Sequence, residues 1–145
     1  MDDRLQRLDA CVRDLRGEML DFTTSLVAIA SENPPGARYG ECVGAIVSRL
    51  RALGLPHEQI PFRERRGSRD RSGAAVVLSH VGTGTRTLYF SGHYDVVPET
   101  TPGQCTPVLR GKALFGRGTC DMKGGLAAML CAAVALQRAG VPLHG

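Results

Sequence analysis

Residues 121–140, DMKGGLAAMLCAAVALQRAG, constrain the fold more than any other part of the chain. The segment is apolar almost all round a helical wheel, so it reads as a buried helix rather than one lying on a surface. Gly140 and Pro142 end it. A buried helix needs a layer on each side. This predicts an α/β sandwich, a mixed β-sheet flanked by helices. The apolar run 126–136 is shorter than the roughly 20 residues that cross a bilayer, so no membrane partner is expected.

The rest of the chain supplies candidate layers. Leu5, Leu8, Val12, Leu15, Met19, Phe22 and Leu26 recur at alternating spacings of three and four, one apolar stripe on a long helix. Such a stripe packs on a sheet, or pairs with a second copy; Gly17 and the short run of heptads favour packing. Pro34 and Pro35 stop this helix. A second follows, with Cys42, Val43, Ile46, Val47, Leu50 and Leu53 on one face and Gly54 as its left-handed cap. Strands are predicted over 56–63, 74–80 and 86–91, the last two joined by the glycine-rich turn VGTGT. A short extended pair, PVLRGKALFG, turns at Arg110-Gly111-Lys112.

The 43% hydrophobic and 22% charged content excludes a disordered chain, and 145 residues suffice for one domain. The formal charge of +4 comes mainly from scattered arginines. Their densest run, RERRGSRDR, has no aromatic or recognition motif beside it. It reads as a solvated loop between two strands, and no nucleic-acid partner is expected. Five cysteines without a C-x-x-C pair, and a charged N-terminus without an apolar leader, predict free thiols in a reducing, cytoplasmic setting.

Common catalytic templates fail. GRGTCD places Asp121 where a dinucleotide fingerprint needs its third glycine, Gly111-Lys112 has no P-loop around it, and there is no G-x-S-x-G or H-E-x-x-H. Cys120 reads as a small packed residue rather than a nucleophile. SGHYDVVP, directly after TLYF, is different. Residues two apart on a strand face one side, so His93 and Asp95 can point into one pocket at the end of a buried strand. Alone, H-x-D is most often a satisfied polar pair. Asp121, after the turn GRGTC and at the start of the buried helix, adds a carboxylate that helix N–H groups would stabilise. Lys123-Gly124-Gly125 keeps that helix start slim. Three such groups make the first half of a metal site.

SGHYDVVP followed by LFGRGTCDMKGGLAAML resembles the zinc-dependent family of aminoacylases, deacylases and aminopeptidases, and the loop ASENPPG is similar to its deacetylase/desuccinylase branch. The likeness runs from residue 15 to the end. It implies that His93 ligates one metal ion, that Asp95 orients His93 without binding metal, and that Asp121 bridges two metals. It also implies a cis peptide at Asp121–Met122. Two divalent ions, zinc first, with cobalt and manganese as alternatives, would serve hydrolysis of an amide in an N-acyl amino acid or small peptide. The family's glutamate base and remaining ligands lie further along than Gly145. Neither Glu99 nor His144 matches them.

Residues 1–145 are therefore expected to be the N-terminal portion of the catalytic domain, lacking a lid or dimerisation domain. Such a portion is expected to be inactive alone and to expose an apolar sheet edge. The resemblance allows a homodimer of the full-length enzyme. The alternative is a non-catalytic binding or helix-mediated interaction module built on the Leu5-to-Leu26 stripe. One departure from the family is the loop ETTPGQCTPV, which lacks the tryptophan common in relatives.

Overall fold

The computed structural model describes residues 3–66, 69–79 and 82–142. The expected first helix forms as two, α1 (Asp3–Asp14) and α2 (Arg16–Val27), joined at Leu15. The amide of Leu15 bonds Cys11 O at 3.1 Å and its carbonyl takes Met19 N at 2.8 Å, so the hydrogen-bond ladder runs on through the junction. The predicted stripe faces inward: Leu15, Phe22 and Leu26 are buried, and Leu8, Cys11 and Met19 pack against them. Leu5 and Val12 remain exposed. The stripe's partner is another helix, α4 (Gly124–Arg138), rather than a sheet.

Helix α4 presents Ala127, Leu130, Cys131, Val134 and Ala135 to the core at spacings of three and four. Ala128 and Ala132, on its other side, are exposed. The helix is thus buried on one face, not all round, because nothing among the described residues covers the second. Segment Thr119–Arg138 does have the length and composition of a membrane-crossing helix, with a mean hydropathy of 1.4 in an 18-residue window. Here its apolar face is spent on packing against α1 and α2.

Helix α3 (Tyr39–Ala52) matches expectation and ends as predicted at Gly54, which has φ +65°; Leu55 N closes back on Leu50 O at 2.9 Å. Its face of Val43 and Val47 packs on Ala74. Ala74 belongs to β2 (Arg69–Leu78), which pairs antiparallel with β1 (His57–Arg66), from His57↔Leu78 to Arg66↔Arg69. Two corrections follow. The arginine-rich run is largely strand, Arg63–Arg66 continuing β1 and Arg69–Arg71 opening β2, with only residues 67–68 between them and outside the described set. The hairpin therefore joins 57–66 to 69–78 and does not turn at VGTGT; His80 and Val81 lie outside the described residues.

The predicted strand 86–91 does not form as a strand and pairs with nothing among the described residues, and Leu88, Tyr89 and Phe90 are 78%, 86% and 70% exposed. A strand needs a neighbour for its backbone groups, and neither open edge of the β1–β2 pair takes up this segment. The expected PVLRGKALFG pair does form, as β3 (Val108–Arg110) and β4 (Ala113–Phe115), turning at Gly111-Lys112. Among the described residues there are thus two separate antiparallel hairpins instead of one mixed sheet. Among those residues the single parallel contact is the bridge Glu32↔Val96. All five cysteines are unpaired.

Candidate functional site

The bridge at Val96 places the site. Val96 N bonds Ser31 O at 2.9 Å and Asn33 N bonds Val96 O at 2.8 Å, so residues 93–96 are stitched to the loop after α2. The Ser31 hydroxyl donates to Tyr94 O at 2.5 Å from a fully buried position. Tyr94 turns inward, and its hydroxyl donates to Ala74 O of β2 at 3.2 Å. With Tyr94 inward, His93 and Asp95 face the other way together. The alternation expected of a strand survives here without a full ladder.

Asp121 comes from the turn Thr119–Lys123 that precedes α4. Its φ of −122° and ψ of 100° are extended, so it stands just before the helix rather than in its first turn. The Asp121–Met122 peptide is cis, as the resemblance implies. Lys123 pins the turn from below: it is 0% exposed, and its Nζ donates to Leu26 O at 2.8 Å and Ile29 O at 2.7 Å. Burial pushes its pKa below the ordinary lysine value. Gly124 allows the tight entry, because a Cβ there would stand 2.4 Å from Thr119 O.

These elements bring the three expected residues to one cleft of about 470 Å³, lined also by Asn33, Val96, Val97 and residues 116–120. His93 Nδ1 donates to Asp95 O at 3.0 Å and has Asp95 Oδ1 at 3.1 Å. His93 Nε2 lies 3.0 Å from Asp121 Oδ1. Partial burial favours the neutral ring, but the bonds to Asp95 O and Asp121 and the charges of both carboxylates outweigh it, raising the His93 pKa above its usual value. Both ring nitrogens therefore face oxygen acceptors. A neutral imidazole has one proton and can satisfy one of them. The Nε2–Asp121 side calls for a positive charge, which a proton or a metal ion supplies. Asp121 is 86% exposed and open to a ligand, whereas Asp95 is 28% exposed and turned toward the protein.

Glu99 is occupied elsewhere, accepting from the amides of Gly103 and Cys105, which holds its pKa low. Cys120 is exposed at the cleft wall. His144 lies outside the described residues. Among the described residues no cluster of three or more His, Cys, Asp or Glu could hold a metal.

The geometry also brings in residues that sequence reasoning passed over. Asn33 Nδ2 donates to Asp95 Oδ2 at 2.7 Å, and the Tyr39 hydroxyl stands 3.5 Å from the same oxygen. In the sequence Asn33 stands only as part of the loop ASENPPG. Its place before two prolines, each in a cis peptide here, was the available signal.

The sequence around this cleft matches a known family model, "Peptidase family M20/M25/M40", over residues 89–145. Residues 89–145 are thus similar to peptidase family M20/M25/M40, and the matched segment contains His93, Asp95 and Asp121. Similarity to curated relatives extends further. The chain is 38% identical over 118 residues to a succinyl-diaminopimelate desuccinylase of Nitrosococcus oceani, 78% of this chain and 28% of that protein. It is 37% identical over 121 residues to the desuccinylase of Xanthomonas euvesicatoria, 80% of this chain and 29% of that one. With that of Gluconacetobacter diazotrophicus it shares 34% over 110 residues, 73% and 27%. The chain spans under a third of the length of these relatives.

Proposed function

We propose that residues 1–145 are the N-terminal portion of the catalytic domain of a metal-dependent amidohydrolase, and that the intact protein cleaves an N-acyl amino acid or small peptide-like amide. The desuccinylase relatives make an N-succinyl amino acid the first substrate to try. The observation that carries the reading is the imidazole of His93 set between acceptors on both nitrogens, with an exposed carboxylate at Nε2.

Asp95 accepts the hydrogen bond of Nδ1–H, which would leave the Nε2 lone pair directed at the cleft, the arrangement a metal-binding histidine needs. Asp121 offers carboxylate oxygens beside it. His93 and Asp121 would suit a divalent ion of the zinc, cobalt or manganese kind, with zinc first, and Asp121 would also serve a second ion. When bound, such ions polarise a carbonyl and activate water. Cleft residues Val96 and Val97 supply an apolar wall on which an acyl chain can rest.

Two donors are fewer than the three or four a zinc site uses. The further ligands and the base are assigned to the part of the intact enzyme that the relatives' length leaves room for. There, too, the extended segment 86–91 would gain strand partners and complete a sandwich. Five free thiols suit a reducing, cytoplasmic setting.

The test is release of free amine from N-succinyl and N-acetyl amino acids. The intact protein is expected to turn over, to lose activity on chelation and to regain it with zinc, while the 145-residue chain alone stays at background. Absence of amine release from every such substrate by the metal-loaded intact protein would overturn the assignment.

A further inference from the structure

A polar chain leads away from the candidate site into the hairpin. Asp95 uses Oδ1 toward His93 and Oδ2 toward Asn33 Nδ2, at 3.1 and 2.7 Å. The other end of that amide, Asn33 Oδ1, accepts from Arg71 of β2 at 2.7 Å. An asparagine amide has two faces of opposite character. Rotated half a turn, Asn33 would set its oxygen against the Asp95 carboxylate and its NH2 against a guanidinium, both repulsive. Arg71 prevents this, because a guanidinium only donates and so accepts only the oxygen end.

Arg71 is itself held in place. Its side chain is 17% exposed and its far nitrogen pairs with Glu64 across the hairpin. Its stem lies against Gly36, where a Cβ would stand 2.6 Å from Arg71 Cδ. The reach from β2 to Asn33 thus depends on a glycine in the loop, at φ +97°.

We infer that Arg71 is a positioning residue for His93, acting through the Asn33 amide and Asp95 to keep the imidazole directed at Asp121. This rests on the reading of His93 as a metal ligand. It assigns to the β1–β2 hairpin a part in the site that neither the family match, which begins at residue 89, nor any catalytic motif contains.

Metal-stripped intact protein titrated with Co2+, followed by visible absorption, provides the test. Arg71→Met keeps the stem and removes the donors, and is expected to weaken Co2+ binding about tenfold, as loss of an outer-sphere partner does. Arg71→Lys, which can still donate to Asn33 Oδ1, should recover most of that loss. Glu64→Gln should change affinity less than about twofold, since that pair only steadies the arginine at the surface. Asn33→Ala should weaken binding at least as much as Arg71→Met, and adding Arg71→Met to it should cost nothing more. Asn33→Asp, of the same shape, sets one carboxylate against another and should also weaken binding, which guards against a poorly folded Arg71 variant. Unchanged affinity in Arg71→Met or Asn33→Asp, or additive losses in the double variant, overturns the inference while leaving the metal reading intact. Unchanged affinity in His93→Ala defeats the metal reading, and the inference with it.

Discussion

His93→Ala and Asp121→Asn are each expected to lower kcat/KM of the intact enzyme by more than about a hundredfold. That figure is the upper end of what losing an outer-sphere partner costs, and these two residues are proposed as the ligands themselves. Asp121→Asn is the cleaner probe. It keeps the shape of a side chain that is 86% exposed, so it removes charge without disturbing packing. His93→Ala removes a ring that is 47% exposed and touches little of the core. Neither should move the unfolding midpoint appreciably, which separates loss of chemistry from loss of fold. Asp95→Asn should give a smaller loss, because the Asp95 backbone carbonyl at 3.0 Å still holds Nδ1. Equal activity in wild type and a ligand variant would remove the substituted residue from the site.

The second large effect is on stability. Lys123→Met keeps most of the side-chain volume and is expected to destabilise the protein by roughly 2–4 kcal/mol, read from the shift of a urea unfolding curve. Lys123 is wholly buried, yet its ammonium meets the carbonyls of Leu26 and Ile29, where α2 ends. A cation there also opposes the negative end of the helix dipole. Opposing this, burying an ammonium costs several kcal/mol, and its lowered pKa shows that penalty at work. Once the lysine is gone, those carbonyls keep only the amides of Ile29 and Ser31 and lose their charged donor, and that loss should dominate. A methionine variant as stable as wild type would mean that desolvation cancels the bonds. The same substitution frees the turn that carries Asp121 and should lower activity beyond what instability explains.

The helices were legible because their signals are local. The inward face of α1 and α2, the limits of α3 and the cap at Gly54 all follow from spacing and turn chemistry. The long-range pairings were not. Nothing local distinguishes the pairing of 57–66 with 69–78 from a hairpin turning at VGTGT, since glycine stands in both intervening stretches. Register depends on what each strand can bury, and β2 packs Ala74 under Val43 and Val47 of α3, thirty residues away in sequence. Segment 86–91 has strand composition, yet composition cannot supply a neighbouring strand. Of the candidate site, His93, Asp95 and Asp121 were readable from two motifs, and the structure brings them into one cleft. Asn33, Arg71 and Lys123 were not, because each acts by reaching a partner at least 38 positions away.

The central claim is that a divalent ion sits between His93 and Asp121. Anomalous scattering at the zinc edge from crystals of the zinc-loaded intact protein tests it most directly. The account predicts a peak within bonding distance of both His93 Nε2 and an Asp121 carboxylate oxygen, absent from crystals of His93→Ala. Zinc bound elsewhere, with His93 Nε2 left against Asp121 alone, would contradict it.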